Sequence, residues 1–370
     1  MFPSFPITPS TEIPEYFSRY IADGKILSNL ILVESEHSAM SAAIGASLSN
    51  ARTATATSSN GLAYMWEMLH IAASMRAPII MELVCRSISG PLNIHNDHSD
   101  AMGMKDTGWI MLFSKNNQDV YDNTIIGTMI AENSNVLLPI AICQDGFITS
   151  HSIENIEILE DDEVIKLVGK YNNKENPVTV GPLDLPTHLF EHKRLQVEAL
   201  ANAKKVFREI SEKYEKISGR KINMIDTYMV EDADTVIIAI GSTAETIEEV
   251  VDRRRKNGEK VGVIHVRMFR PFPEEEIISA LKNVKNIAVM DKVMDYSLNG
   301  GTLYKEIISA IYDMKEKDEE KDKLGDKNII VSNYIYGIGG RDIGVDDIEG
   351  IFDDILDKSN NEKIRYVGLK

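Results

Sequence analysis

The sequence predicts an α/β protein with two parallel-sheet domains, and three observations lead to that expectation. Short apolar segments alternate with stretches of helical periodicity in the first 160 residues and again after residue 233. Many of these segments are apolar throughout, as in strands of a parallel sheet that helices cover on both faces. A charged stretch and a long amphipathic segment separate the two parts. We therefore expect domains at residues 1–165 and 223–370, connected by a linker and a long helix at 166–222.

The elements of the first part follow from apolar runs, β-branched residues and helical spacing. The predicted strands are NLILV (29–33), ARTATATS (51–58), PIIMELV (78–84) and VLLPIAICQDG (136–146), and the predicted helices are EHSAMSAAIGASLSN (36–50), NGLAYMWEMLHIAASMRA (60–77) and QDVYDNTIIGTMIAENS (118–134). Residues 160–186 are charged, Asn-rich and proline-containing, which is typical of a linker. Residues 187–218 then keep a helical period for about nine turns, and Gly219 marks the end.

The second part repeats the alternation in a shorter form. The predicted strands are DTVIIAIGS (234–242), KVGVIHVRMF (260–269), NIAVMDKV (286–293) and NIIVSNYIYG (328–337), and the predicted helices are TAETIEEVVDRRRKNG (243–258), EEEIISALKNV (274–284) and GTLYKEIISAIYDM (301–314). Residues 313–327 carry mixed charge and are expected to be a solvated helix end and loop.

Composition and charge narrow the class of protein. Hydrophobic residues make up 43% and charged residues 26%, the balance of a soluble globular protein. The net charge of −17 argues against nucleic acid as a partner. The longest apolar runs are too short to cross a bilayer and we find no secretory signal, so we expect no membrane partner and a cytoplasmic location. Cys85 and Cys143 lie in apolar segments and are expected to be buried thiols, too few for an iron–sulfur cluster or a Cys-based zinc site.

Polar groups follow three predicted strands at the point where each strand ends. Glu34, Glu36 and His37 follow NLILV, and the two acids share a side if the strand continues that far, so we expect at least one to face a closed site. Arg86 follows PIIMELVC, where its guanidinium could bind a ligand carboxylate or form a structural ion pair; the sequence leaves both open. Asp145 follows PIAICQ. Because the carboxyl ends of parallel strands share one edge, we expect the three sites to converge.

Other polar stretches have a structural and a functional interpretation. HNDHSD (95–100) offers metal-ligand types, but its spacing is common in loops and favours no metal. PITPSTE (6–12) is expected to lead into a helix with Thr8, Ser10 or Thr11 as the cap. AIGSTAE (239–245) and YGIGGRD (336–342) could each cradle an anion, although neither matches a phosphate-binding motif.

Taken together, the motifs resemble a known family. PITPSTE, VESEHSAM, ATSSNGLAYMWEMLHIAASMRAPIIM, NIHNDHSD, DTGW, QDGFITSH, VRMFRPFP and YGIGGRD, in this order, resemble the alpha subunit of 2-oxoacid:ferredoxin oxidoreductases, in particular pyruvate:ferredoxin oxidoreductase (pyruvate synthase). The resemblance covers nearly the whole chain. It implies a pyrimidine-type thiamine diphosphate-binding domain followed by a domain similar to the C-terminal domain of transketolases.

The resemblance also implies roles for individual residues. Glu36 matches the catalytic, cofactor-binding glutamate, which bonds N1′ of the aminopyrimidine and favours the imino tautomer that takes the thiazolium C2 proton. Thr8 and Arg86 match positions that bind the carboxylate and carbonyl of the substrate. Glu34 is expected to be structural, and no metal ligand is expected in this chain.

The partners implied by the resemblance are other subunits. A beta subunit would hold the diphosphate and Mg²⁺, gamma and delta subunits would complete the CoA site and the electron relay, and iron–sulfur clusters would lie in these partners. The expected reaction is the reversible oxidative decarboxylation of pyruvate with CoA to acetyl-CoA, with electrons passed to ferredoxin.

Two alternatives remain open at this stage. The same type of enzyme could prefer 2-oxoisovalerate or another 2-oxo acid. An alternative of another class is a transketolase-like or 2-oxoacid dehydrogenase subunit that does not use ferredoxin. A non-catalytic subunit is disfavoured because Glu36, Thr8 and Arg86 are all present.

Overall fold

The structure, a computed structural model, describes residues 1–171, 181, 183–316, 329–357 and 362–370. The strands in this part of the chain are β1 Phe2–Ser4, β2 Leu30–Leu32, β3 Thr53–Thr57, β4 Ile79–Cys85, β5 Ile110–Phe113, β6 Ile140–Asp145, β7 Ile225–Tyr228, β8 Thr235–Ala239, β9 Val261–Val266, β10 Met268–Arg270, β11 Asn286–Asp291, β12 Ile330–Ile335 and β13 Ile364–Tyr366. The α-helices are α1 Glu12–Ala22, α2 Glu36–Leu48, α3 Ser59–Tyr64, α4 Trp66–Ser74, α5 Ser99–Met104, α6 Asn117–Ala131, α7 Asp161–Val168, α8 Leu189–Ser218, α9 Thr243–Lys256, α10 Glu274–Ala280, α11 Thr302–Glu316 and α12 Val345–Leu356. None of these helices is long and apolar enough to span a membrane.

The first sheet has the order β10-β5-β6-β4-β3, and its four strands from the first part of the chain run parallel. All residues of β4 are buried, as expected for a central strand covered on both faces. Alternate side chains of β4 enter different cores: Met81, Leu83 and Cys85 face one cluster, whereas Ile80 faces the other. Glu82 lies on the Ile80 side by the same alternation. The two cysteines are buried free thiols, as predicted.

The second sheet has the order β13-β12-β11-β8-β9-β7 and is parallel except for β7. The chain passes from β8 to β9 on one side and later to β11 on the other side of β8. The switch point of this sheet therefore lies between β8 and β11, where open α/β sheets commonly bind ligands. The predicted α/β class with parallel sheets is confirmed.

One strand from the second part of the chain belongs to the first sheet, which the sequence did not reveal. β10 follows β9 after one residue, yet it pairs antiparallel with β5 and extends the first sheet. The second part of the chain thus supplies an edge strand to the first sheet. The proposed boundaries, 1–165, 166–222 and 223–370, remain a prediction.

The long predicted helix is present as α8, which ends at Gly219 in a left-handed conformation with a φ of 71°. A stripe of its side chains is buried in the core of the first sheet: Ala199, Ala203, Val206, Phe207, Ile210 and Tyr214. Their spacing of three and four residues puts them on one face of the helix, as in an amphipathic helix.

Three sequence expectations need correction. The stretch predicted as a linker contains α7, because a capping box joins Glu160 and Glu163, and Val164 and Leu167 pack on the core. The helix predicted over residues 60–77 is two helices, α3 and α4, that meet at Met65. The strand β5 was not predicted, since its four apolar residues stand beside a polar stretch. Residues 172–180 and 182 of the predicted linker, and 317–327 of the charged run, lie outside the described residues.

Candidate active site

Glu36 is the first residue of α2, shortly after β2 ends at Leu32. The Ser35 hydroxyl accepts a hydrogen bond from the Ser38 backbone N–H at 3.2 Å, which caps the helix. Glu34 is exposed, whereas Glu36 is only 7% exposed. The burial of Glu36 agrees with the expectation that at least one of the two acids does not face water. The two acids were expected to share a side only if the strand continued to residue 36, and it does not, because β2 ends at Leu32 and the Ser35 cap starts a helix.

Gly61 in α3 lets the Glu36 carboxylate pack closely against the helix backbone. A Cβ atom at position 61 would lie 2.7 Å from Glu36 Oε1 and 2.6 Å from Thr57 Oγ1. The Thr57 hydroxyl is buried and has no hydrogen-bond partner among the described residues. A buried carboxyl group and an unsatisfied hydroxyl therefore lie together against a glycine, and both can hydrogen-bond a polar heterocycle.

Arg86 directly follows β4 and is 7% exposed. Its Nε donates to the carbonyl oxygen of Asn93 at 3.1 Å, and Nη1 donates to that of Thr8 at 2.9 Å. No carboxylate of the described residues lies within ion-pair distance of the guanidinium. Because a buried charge without a counter-ion is costly, this arrangement disfavours a structural ion pair and favours an anionic ligand.

Thr8 is exposed and lies between β1 and α1, with its carbonyl turned to Arg86. The helix expected after PITPSTE begins at Glu12, but Thr11, its N-cap, makes no side-chain cap bond, and the Ser10 hydroxyl donates to the Ile7 carbonyl at 2.8 Å. The structure thus brings Thr8 and Arg86 together across 78 positions of sequence. Their role in substrate binding remains a prediction.

Asp100 connects the surroundings of Arg86 with those of Glu36. Its Oδ2 accepts the backbone N–H of Arg86 at 2.9 Å and that of Ser59, two residues before Gly61, at 2.8 Å. Burial raises the pKa of Asp100 to about 7 despite these hydrogen bonds. One buried carboxyl group therefore fixes the end of β4 to the start of α3.

The polar side chains of HNDHSD are directed to separate partners. Asp97 Oδ1 accepts from the Ser99 hydroxyl at 2.6 Å, and the Oδ2 atom accepts from the backbone N–H of Gly339 at 3.0 Å. His98 Nε2 lies 2.7 Å from Asp145 Oδ1. With Asp100 bound to backbone amides, these groups do not converge on one point as metal ligands must.

A cluster of metal-ligand types does occur elsewhere, formed by Asp119, Asp226 and His265. The guanidinium of Arg267 lies 3.0 Å from Asp119 and 2.6 Å from Asp226. A cation already neutralises this cluster, so it is a structural ion-pair network.

Asp145, at the end of β6, is buried between the two sheets. Its carboxylate accepts from the Ser242 backbone N–H at 3.1 Å and from the Ser242 hydroxyl at 2.6 Å, and Lys292 Nζ lies 3.3 Å away. Burial alone would raise the pKa of Asp145, but Lys292 and His98 hold it well below its usual range. A Cβ atom at Gly241 would lie 2.9 Å from both carboxylate oxygens. AIGSTAE thus cradles an anion, as its pattern suggested, and the anion is this chain's own Asp145.

The other glycine-rich turn, YGIGGRD, also receives part of the first domain. Gly339 binds Asn93 and Asp97 through its carbonyl oxygen and N–H, each at 3.0 Å. Both glycine turns of the second sheet are therefore used in contacts within the chain. Their interpretation as phosphate sites has no support in these contacts.

The comparison with protein families decides the identity of the fold. The family model of the thiamine diphosphate-binding domain of pyruvate flavodoxin/ferredoxin oxidoreductases matches residues 1–212, and core domain II of pyruvate:ferredoxin oxidoreductase matches residues 233–348. The chain belongs to the pyruvate flavodoxin/ferredoxin oxidoreductase family. The resemblance inferred from its motifs is confirmed.

Relatives within the pyruvate flavodoxin/ferredoxin oxidoreductase family match over nearly the full chain. The pyruvate synthase subunit PorA of Thermotoga maritima is 45% identical over 99% of this chain and 92% of its own length, and that of Methanocaldococcus jannaschii is 41% identical over the same shares. The ketoisovalerate oxidoreductase subunit VorA of Pyrococcus horikoshii is 39% identical over 95% of this chain and 88% of its own length.

A solved structure supports the fold. The 2-oxoglutarate:ferredoxin oxidoreductase from Magnetococcus marinus, with 2-oxoglutarate, coenzyme A and succinyl-CoA bound, superposes with a TM-score of 0.68 at 20% identity. The match covers 96% of this chain and 62% of that chain, so this chain spans less than two thirds of the neighbour.

The sequence analysis of this family member missed the residues that support the site. Gly61 and Asn93 stand inside quoted motifs but carried no signal of their own. Lys292 could have been noticed, since it directly follows the predicted strand segment NIAVMD in the way that Arg86 follows PIIMELVC. Its partner, Asp145, was noted as a strand-end group, but without a pairing.

Proposed function

We propose that this chain is the alpha subunit of a pyruvate:ferredoxin oxidoreductase. The assembled enzyme would oxidise pyruvate with CoA to acetyl-CoA and CO₂ and pass two electrons singly to ferredoxin, reversibly as a pyruvate synthase. The observation that carries the proposal is the buried guanidinium of Arg86, which has no carboxylate partner among the described residues. The relatives that are named pyruvate synthase subunits support pyruvate as the acid.

In the proposed site Arg86 binds the substrate carboxylate. Two of its N–H groups are already used by main-chain carbonyls, which orient the planar guanidinium and leave the remaining donors for a carboxylate. Thr8, exposed beside it, would contact the carbonyl end of the substrate. This assignment rests on the charge and position of the two residues.

Glu36 would be the proton-handling residue toward the cofactor. Thiamine diphosphate, when bound, supplies the electron sink that decarboxylation of a 2-oxo acid requires. Glu36 would share a proton with N1′ of the aminopyrimidine, because its carboxylate is buried and packs against Gly61, where no side chain separates it from α3. The unsatisfied Thr57 hydroxyl next to it would supply a further hydrogen bond to a polar ring.

The remaining components would lie in partner subunits. The two glycine turns of the second domain are already occupied by this chain, which supports a diphosphate and Mg²⁺ site in a beta subunit. The two cysteines are buried, which supports iron–sulfur clusters and the electron relay to ferredoxin in beta, gamma and delta subunits. The proposed complex would use CoA and work in the cytoplasm.

The second candidate is the same reaction with 2-oxoisovalerate. The VorA relative supports it, at an identity close to that of several PorA relatives. A subunit that does not use ferredoxin would instead give a complex without iron, and the iron content of the purified enzyme separates the two classes.

The test is dye reduction by the complex, co-expressed anaerobically with its partner subunits. Pyruvate, 2-oxoisovalerate and 2-oxoglutarate are each offered with CoA and a viologen dye. We expect CoA-dependent reduction with pyruvate as the preferred acid. Glu36→Gln should lower the rate by about 10²–10⁴-fold, because the amide cannot share the proton.

Glu34→Gln is the matched control, since Glu34 is two residues away and exposed. It should keep nearly the full rate. No reduction with any acid, from a complex that contains iron and thiamine diphosphate, would contradict the proposed function. Preference for 2-oxoisovalerate would replace pyruvate with the second candidate.

A further inference from the structure

The guanidinium of Arg86 is oriented by two main-chain carbonyls, and one of them depends on the second domain. The carbonyl of Asn93 belongs to residues 86–98, which we call the Arg86 loop. This loop leaves the end of β4, turns back at Asn93 and returns to α5. The Ser87 N–H donates to the His95 carbonyl at 3.0 Å, which closes the loop on itself.

The second domain holds the returning half of the Arg86 loop at three points. The Asn93 Nδ2 donates to the Gly339 carbonyl at 3.0 Å, and the Gly339 N–H donates to Asp97 Oδ2 at the same distance. The His98 N–H donates to the carbonyl of Lys292 at 2.8 Å. Both main-chain groups of Gly339 are thus used by one loop of the other domain.

Asn93 connects this contact to the arginine. Its Oδ1 accepts the His95 N–H at 2.7 Å, so its side chain is fixed at both ends, while its own carbonyl binds Arg86 Nε. Gly339 has a φ of 62°, and a Cβ atom there would lie 2.6 Å from Asn93 Nδ2. The close approach therefore requires glycine at position 339.

We propose that Asn93 is a positioning residue for recognition of the substrate carboxylate. Through Gly339 it holds the carbonyl that orients Arg86, so the second domain sets the geometry of an arginine on the first. The inference rests on the proposed role of Arg86. Without the Asn93–Gly339 hydrogen bond, the Asn93 carbonyl and the Arg86 guanidinium can shift together. We expect such a shift to weaken binding of the substrate carboxylate more than it slows the chemical steps.

The test compares variants of the assembled complex. Asn93→Asp keeps the oxygen that accepts from His95 and removes the donor to Gly339. We expect KM for pyruvate to rise about tenfold, kcat to change less than twofold and KM for CoA to stay constant, since one hydrogen bond of ordinary strength is lost. The inhibition constant of oxamate, an unreactive analogue with the same carboxylate, should rise by the same factor.

Asn116→Ser is the matched control. Asn116 Nδ2 also bridges the domains, to Glu245 at 2.6 Å, and serine keeps the capping oxygen at the start of α6. This variant should leave KM and the oxamate constant unchanged. Gly339→Ala approaches the same contact from the second domain and should reproduce the effect of Asn93→Asp. Asn93→Ser replaces Asn93→Asp if the added charge prevents assembly.

The outcomes separate the inference from the function on which it rests. If Arg86→Gln raises KM and the oxamate constant while the Asn93 and Gly339 variants do not, the positioning role is wrong and the function stands. If Arg86→Gln changes neither constant, the proposed substrate site fails. A fall in thermal stability and kcat with unchanged KM would make Asn93 structural only and overturn the inference.

Discussion

The carboxyl-terminal edges of the two sheets contain similar groups and use them in opposite ways. At the first edge, Arg86 is a buried cation without a carboxylate partner among the described residues. The buried Glu36, which follows the separate β1-β2 pair, packs against Gly61. At the second edge, Lys292 and Ser242 bind the Asp145 carboxylate of the first domain. An edge suited to ligands can therefore bind another part of the same chain instead. The two cases are distinguished by whether the buried cation at that edge has a carboxylate partner within the chain.

Removal of the charge at Asp145 should have the largest effect on stability. Asp145→Asn leaves Lys292 buried without its counter-ion, and we expect the free energy of unfolding to fall by about 3–5 kcal/mol. Because the pKa of Asp145 is held below its usual range, its stabilisation is present at neutral pH and is lost as the pH falls through its folded pKa. Denaturant unfolding of the complex at several pH values would measure both effects.

Glu248→Gln is the control for Asp145→Asn. It removes an ion pair with Lys115 that also crosses the domains at 2.8 Å but is partly exposed. Such a pair contributes about 0–1 kcal/mol. Equal losses in the two variants would contradict the special role that we assign to the second edge.

Glu82 sharpens the comparison, because it is a buried carboxylate of the first sheet away from either edge. The hydroxyl of Thr124 donates to its Oε1 at 2.9 Å, whereas Oε2 has no partner among the described residues. Burial raises the pKa of Glu82 from 4.5 to about 7. The folded state therefore favours the protonated acid. As the pH rises from the unfolded pKa of 4.5 through the folded pKa of about 7, the free energy of unfolding falls by about 3 kcal/mol through this group.

Glu82→Gln should remove this part of the pH dependence. Between the two pKa values the free energy of unfolding of the variant should fall by about 3 kcal/mol less than that of the wild type. Glu15→Gln, at an exposed position of α1, should not alter the pH dependence. The same fall in the Glu82→Gln variant as in the wild type would show that Glu82 is not the group that titrates.

Gly61→Ala tests the close packing of Glu36 on Gly61 and should have the smallest effect on stability. The added methyl group would overlap the Glu36 carboxylate and the Thr57 hydroxyl, at a cost of about 1–3 kcal/mol. We expect dye reduction to fall much more than stability, because Glu36 must move. Gly45→Ala in α2, where no atom lies within 4 Å of the new Cβ, should keep activity and stabilise the helix slightly. Full activity of Gly61→Ala would show that Glu36 does not depend on its close packing against Gly61.

Much of the fold could be predicted because its signals are local. Apolar strands such as β4, the N-cap of α2 and the C-cap of α8 are each specified by residues that are adjacent in the sequence. The site was predicted in part: the strand-end positions of Glu36, Arg86 and Asp145 are local, and the resemblance suggested roles for the first two. The addition of β10 to the first sheet was not predicted, since its pairing with β5 depends on residues more than 150 positions away.

By itself, the sequence determined the α/β class, the two alternating parts, the long helix and the family to which the motifs belong. Only the tertiary structure decided which strand-end groups remain available for a ligand and which are neutralised within the chain. Arg86 and Lys292 each directly follow a buried strand, yet Arg86 donates to main-chain carbonyl oxygens, whereas Lys292 pairs with the Asp145 carboxylate. The physical reason is that a buried charge is defined by its partners in space, and a local pattern specifies burial but not the partner.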